Sequence, residues 1–199
     1  MAASPPPPGR RPPPVYRLAA FLVRVYVSLV YGLRISGTEH VPRTGACVVG
    51  ANHVSAWDPP VVGLSVPREI HFMAKKELFE RWLPRRLFRA VRAFPVDRGV
   101  NDVGAVKEAL RRLQNGHAIG VFFEGTRNVR GDAAARQGAA FLAQRTGAPL
   151  VPAAIWREGR AFRVAFGPPL RTAGRSRAEV ATLTAELERA VRSLLPSRT

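Results

Sequence analysis

The stretch ACVVGANHVSAWDPP, Ala46 to Pro60, decides the fold. Ala46–Gly50 reads as a short buried strand, apolar throughout. Asp58 followed by Pro59 has the form of a helix N-cap with proline at the first helical position. A strand that turns directly into a helix is the start of an alternating architecture. Between the two elements lies Asn52-His53-Val54-Ser55-Ala56-Trp57-Asp58, an imidazole and a carboxylate with four residues separating them. A tight turn can fold that carboxylate back onto the ring, where it fixes the tautomer and supports an imidazolium. The other ring nitrogen then faces outward as a base. Spacing alone also fits a His and an Asp that merely serve the turn and the cap.

The alternation continues downstream. Further strands are expected at Ile70–Ala74, Ala118–Phe123, Leu150–Ile155 and Phe162–Phe166. Helices are expected at Pro59–Ser65, Pro84–Ala93, Asp102–Gln114, Arg136–Arg145 and Arg177–Leu195. Gly116 reads as a helix stop. Ser176-Arg177-Ala178-Glu179 reads as a capping box opening a helix that buries Val180, Leu183, Leu187, Val191 and Leu194. The expected fold is α/β, a single domain with a mixed, mostly parallel sheet flanked by helices.

The 199 residues are enough for one substantial core. Their formal net charge of +17 favours polyanionic partners: nucleic acid, an anionic bilayer or phosphorylated small molecules. Nearly all the positive charge is arginine; only Lys75, Lys76 and Lys107 are lysine. Cys47 is the single cysteine, which excludes an internal disulfide and a cysteine-rich zinc site. Its apolar setting suits a structural thiol rather than a nucleophile.

Residues 1–14 are rich in proline and arginine and carry no apolar face, the signature of a disordered tail. Residues 15–35 are strongly apolar but interrupted by Arg17, Arg24 and Arg34, so they fall short of a spanning helix. At helical spacing Arg17, Arg24, Ser28 and Tyr31 share one face, with Leu18, Leu22, Val25, Leu29 and Leu33 away from it. An amphipathic helix in the membrane interface accounts for both halves; a core-packing helix is the alternative. Arg81, Arg85, Arg89 and Arg92 beside Trp82, Leu83, Leu87, Phe88 and Val91 add a second basic and apolar surface suited to an anionic membrane, with a solvated face over a core-packed one as the alternative.

Chemistry-bearing residues cluster again at Phe122-Phe123-Glu124-Gly125-Thr126-Arg127-Asn128. A strand delivers a carboxylate, a glycine, a hydroxyl and a guanidinium to its C-terminal end, where open α/β sheets hold ligands. Arg127 offers a planar fork suited to phosphate. Glu124 can hold Arg127, a substrate hydroxyl or the loop itself. Phe94-Pro95-Val96-Asp97-Arg98 is a short extended run ending in another arginine, and Val151-Pro152-Ala153-Ala154-Ile155 is an apolar strand.

That ordered set resembles the glycerophospholipid acyltransferase family, which includes lysophosphatidic acid acyltransferase. The family's N-H-x4-D is met by Asn52, His53 and Asp58, and its phosphate-binding arginine by Arg98. Its F-P-E-G-T-R-S is met by Phe122, Glu124, Gly125, Thr126 and Arg127, and its V-P-V-A-I by Val151–Ile155. Met73–Phe79 is also similar, and the likeness runs from about Ile35 to Pro169. Phe123 and Asn128 depart from the usual proline and serine.

The resemblance implies residues 36–199 as an acyltransferase domain, with His53 and Asp58 catalytic. Arg98, Glu124, Gly125, Thr126 and Arg127 would bind substrate, with Lys75 a further phosphate candidate. The implied substrates are acyl-CoA or acyl-carrier protein and lysophosphatidic acid or another lyso-lipid, such as lyso-ornithine lipid. No cofactor and no metal are expected. The protein is expected on the cytoplasmic face of the cell membrane, peripheral or monotopic, against an anionic surface. Nucleic acid is the rival partner suggested by charge, but the chain lacks aromatic-basic RNA signatures and zinc-finger spacing, so none is expected. The absence of G-x-S-x-G excludes the common serine hydrolase elbow.

Overall fold

A computed structural model describes residues 14–80, 92–96, 103–123, 137–171, 174 and 176–196. Seven strands form one sheet: β1 (Leu33–Ser36), β2 (Cys47–Ala51), β3 (Ile70–Lys75), β4 (Phe94–Val96), β5 (Ala118–Phe122), β6 (Leu150–Glu158) and β7 (Ala161–Phe166). The described α-helices are α1 (Pro14–Val30), α2 (Asp58–Ser65), α3 (Val103–Gln114), α4 (Gly138–Thr146) and α5 (Arg177–Leu194). The sheet order is β1-β7-β6-β2-β5-β3-β4. Every neighbouring pair is parallel except β6 and β7, which form an antiparallel hairpin. The fold is thus the expected single-domain α/β architecture with a mixed, mostly parallel sheet.

β2 sits at the centre, between β6 and β5, and all five of its residues are buried. Helices cover both faces, which is why its sequence is an unbroken apolar run rather than an alternating one. Val48, Ile119, Val121, Leu150 and Ala154 pack on one face with Ala109, Leu113, Leu142, Leu183 and Leu187 from α3, α4 and α5. Cys47, Val49, Ala51, Val151 and Ile155 pack on the other with Val27 of α1 and Val61 and Val62 of α2. Burial pushes the Cys47 thiol up to about 11, as fits a structural residue.

Helix ends follow their local chemistry. The Ser176 hydroxyl accepts from the Glu179 amide while the Glu179 carboxylate accepts from the Ser176 amide, completing the capping box. Gly116, at φ +77, ends the turn after α3, its amide donating to the Leu113 carbonyl.

Three expectations about residues 15–35, Tyr31 and residues 84–93 need correction. The expected helix over residues 15–35 ends at Val30, and Leu33–Ser36 is edge strand β1, paired with β7. Gly32, at φ +78, breaks the helix, and the alternating burial of Leu33–Ser36 suits a strand. Tyr31, expected on the polar face, packs edge-on against Phe162 at 5.6 Å. Of the helix expected at Pro84–Ala93, residues 84–91 lie outside the described residues, whereas Arg92 is in a turn at φ +62 and Ala93 leads into β4.

Candidate active site

β2 delivers its C-terminal end to the turn that carries the imidazole. Beyond Ala51, whose register partner on β6 is Ala153, the chain leaves the sheet. Asn52 makes that departure possible. Its side-chain amide donates to the Ile155 carbonyl at 2.8 Å and accepts from the Ile155 amide at 2.8 Å. The side chain thereby replaces the backbone as partner for β6, leaving no buried peptide group of Ile155 unpaired.

His53 and Asp58 meet as the spacing suggests. His53 Nδ1 lies 2.9 Å from Asp58 Oδ2, with His53 only 5% and Asp58 0% exposed. The same oxygen accepts from the amides of Val54 at 2.6 Å and Ser55 at 2.7 Å. Two successive backbone N–H groups form a small anion-holding concavity, and Asp58 fills it from three and four residues downstream. A carboxylate here can only accept, so His53 Nδ1 carries the proton and the neutral ring's basic nitrogen is Nε2. This arrangement suits a general base whose positive charge, once formed, faces a buried carboxylate.

Asp58 is not the helix N-cap. It is the first residue of α2, and Trp57 is the cap, with no side-chain cap bond. The reason is local: with Asp58 as cap, Pro60 would leave its carboxylate no amide at the second helical position, and the Val61 amide at the third is already used within the helix. The first helical bond instead runs from the Val61 amide to the Trp57 carbonyl at 2.9 Å. The Asp58 carboxylate is left to turn backward onto His53.

A second set of contacts fixes the ring plane. Phe122, the last residue of β5, stacks on His53 with centroids 4.3 Å apart and planes 27° apart. Phe72 of β3 stacks in turn on Phe122 at 5.8 Å. Gly120 makes room for this pile, because a Cβ there would run into the Phe72 ring. The sequence offers Phe122 only as part of a motif; its ring-stacking role depends on the β2–β5 register, which pairs Ala51 with Phe122. Phe123, where proline is usual in the family, donates its amide to the Ala51 carbonyl at 3.2 Å. Proline could not make that bond.

Trp57 ties the turn to α1. Its ring stacks on Tyr26 at 6.1 Å and lies 6.0 Å from Tyr31. Arg98, Glu124, Gly125, Thr126 and Arg127 lie outside the described residues, as does the side chain of Lys75. Lys75 itself ends β3, paired with Val96 of β4.

A family profile described as Acyltransferase matches residues 32–156, from the turn before β1 to Trp156 in β6. The 1-acyl-sn-glycerol-3-phosphate acyltransferase of Bacillus subtilis (strain 168) is 31% identical over 194 residues, 90% of this chain and 96% of that protein. A protein of the same name from Borreliella burgdorferi is 24% identical over 154 residues, 73% of this chain and 62% of that one. The fold matches the crystal structure of the 1-acyl-sn-glycerophosphate (LPA) acyltransferase PlsC from Thermotoga maritima. The TM-score is 0.75 and the identity 24%, over 92% of this chain and 81% of that one. The buried His53–Asp58 pair lies inside the matched span, and the chain belongs to the acyltransferase family.

Proposed function

We propose that this acyltransferase moves a fatty acyl group from a thioester, acyl-CoA or acyl-carrier protein, to the free hydroxyl of lysophosphatidic acid, giving phosphatidic acid. The observation that carries the mechanism is the buried 2.9 Å contact between His53 Nδ1 and Asp58 Oδ2. His53 Nε2 takes the hydroxyl proton as the alcohol oxygen attacks the thioester carbonyl. The tetrahedral intermediate collapses with loss of thiolate, which takes the proton back from His53. Asp58 holds the ring's tautomer and balances the imidazolium between the two steps. The names of the Bacillus and Borreliella relatives support this acceptor.

Arg98 and Arg127 anchor the acceptor's phosphate in this reading, with Glu124, Gly125 and Thr126 shaping the same loop and Lys75 lending charge. Arg98 follows β4 by two residues and Glu124 follows β5 by two in the sequence. Both therefore come after strands that run parallel to β2, toward the end that carries His53.

The acceptor resides in a bilayer, and α1 is suited to meet one. Val27 is fully buried, yet Leu18, Phe21, Leu22 and Leu29 are 57–81% exposed. One side of α1 thus docks on the fold while another presents apolar bulk. Among the described residues no helix is long and apolar enough to cross a membrane. Peripheral attachment to an anionic cytoplasmic surface, with arginines meeting headgroups, fits both facts.

The test is thiol release by the purified protein with acyl-CoA or acyl-carrier protein and a panel of lyso-lipids, with product mass determined. Lysophosphatidic acid is expected to be the best acceptor, and folded His53→Ala to give no transfer. Near-normal turnover by His53→Ala would overturn the mechanism; preference for a phosphate-free acceptor would overturn the substrate.

A further inference from the structure

The end of the sheet opposite His53 carries a second polar cluster that has no part in the mechanism proposed above. A cavity of about 350 Å³ is lined by His71, Arg92, Ala93, Arg111, Arg112, Asn115 and His117. His117 stands just before β5, whereas Phe122, stacked on His53, ends that strand. Five residues of strand separate them by roughly 16 Å. Among the described residues the lining holds three guanidiniums and no carboxylate.

Its hydrogen bonds fix the charge state. Arg112 Nη1 lies 3.0 Å from His71 Nδ1 and donates to the Arg92 carbonyl at 3.0 Å. A guanidinium only donates, so His71 Nδ1 accepts and the ring is neutral, its proton on Nε2 toward Glu69 Oε1 at 3.2 Å. Two carboxylates back the three arginines: Glu69 pairs with Arg92 at 2.5 Å, and Glu108 pairs with Arg111 and Arg112, each at 2.7 Å. The three lining arginines therefore exceed these two carboxylates by one positive charge while both histidines are neutral. Glu108 takes only the Nε and Nη2 edge of Arg111, whose side chain is 63% exposed. Arg92 holds φ +62, an uncommon conformation for a side-chain-bearing residue, and it lines this cavity.

We propose that this cavity is an anion site that binds the phosphate group of a small soluble molecule, separate from the His53 centre. Convergent guanidiniums recognise phosphate through paired, charge-assisted bonds that chloride cannot reproduce. The Asn115 amide and the His117 ring each offer an N–H donor to the same lining. Bound phosphate also favours protonation of the histidines. His71 is faced by Glu69, Arg92 and Arg112, and His117 by His71, Glu69, Arg112 and Arg68. Burial, the largest cause, together with these arginines holds both rings below their ordinary value, and an anion opposes the arginines.

The test follows the ring resonances of His71 and His117 by NMR in the full chain. Inorganic phosphate and glycerol 3-phosphate are titrated in separate arms, with chloride at matched ionic strength and phosphatidic acid vesicles as comparisons. Saturable shifts in the soluble phosphate arms are expected, with the titration midpoints of both rings moved upward. Arg111→Gln and Asn115→Asp, both at exposed positions, should each raise the dissociation constant about tenfold while the chain remains cooperatively folded in a thermal melt. Absence of saturation, identical shifts in chloride, shifts with vesicles alone, or wild-type affinity in both variants would overturn the site. Acyl transfer is not read, so either outcome leaves the proposed function standing.

Discussion

Asp58→Asn isolates the charge of the candidate dyad from its geometry. Asp58 Oδ2 accepts from His53 Nδ1, Val54 N and Ser55 N, whereas Oδ1 has no partner among the described residues. An asparagine must put its carbonyl where Oδ2 stands, because its NH2 group there would confront three donors. The three bonds then persist, and the amide nitrogen replaces the unpartnered Oδ1. What is lost is the negative charge that faces the imidazolium. With charge centres about 4 Å apart and an effective dielectric of about 20, that attraction is about 4 kcal/mol. Each 1.36 kcal/mol is tenfold in rate, so turnover should fall by about a thousandfold. Burying an unpaired amide N–H group costs a further 1–3 kcal/mol, roughly, of stability, a loss of several degrees in Tm. The assay is thiol release at saturating acceptor, beside a thermal melt, for wild type, Asp58→Asn, His53→Ala and the double variant. The double variant should be no slower than His53→Ala, because the carboxylate acts through the ring. A folded Asp58→Asn enzyme within threefold of wild type would refute the reasoning.

Gly120→Ala should lower both Tm and turnover, because its Cβ would run into the Phe72 ring beneath the Phe122–His53 stack. Overpacking of this kind costs about 1–3 kcal/mol, visible in a melt, and unchanged kinetics would show that the stack does not position the ring. Leu22→Glu with Leu29→Glu, at positions 57% and 81% exposed, should weaken co-sedimentation with anionic vesicles at least about tenfold while leaving Tm unchanged. These replacements are preferable to deleting residues 1–35, which would also remove Val27 from the core and most of β1. Acidification should destabilise the fold in chloride buffer. His71 and His117 both titrate below the ordinary 6.5, chiefly through burial, so near and below that pH the unfolded chain binds more protons. Their contribution is intact above about pH 6.5 and is lost as pH falls through the folded-state values. Tm should drop between pH 7.5 and 5.5, with a shallower slope in His71→Asn. Glu108, held down at about 2 chiefly by its bond to Arg111, adds acid sensitivity only below 4.5 and stays outside that window.

Much of the molecule is legible from local chemistry. The centre of the sheet can be read from Ala46–Gly50, because a strand covered on both faces must be apolar throughout. The capping box at Ser176 and the stop at Gly116 are decided within four residues of chain, so sequence alone states them. His53 and Asp58 are legible for the same reason: the turn that joins them is contiguous. Other features depend on residues far apart. Asn52 meets Ile155, 103 positions away, because β6 comes to lie beside β2. Phe122 stacks on His53 only because β5 pairs with β2 in one particular register. The antiparallel β6–β7 hairpin and edge strand β1 are likewise settled by pairing, which short apolar runs leave open. Helical spacing assigns Tyr31 to the polar face, yet its ring packs on Phe162 and Trp57, whose approach no local pattern encodes. The sequence by itself determined which chemical groups the turn carries. The tertiary structure decided what aligns them, because a ring's orientation is set by the neighbours packed against it.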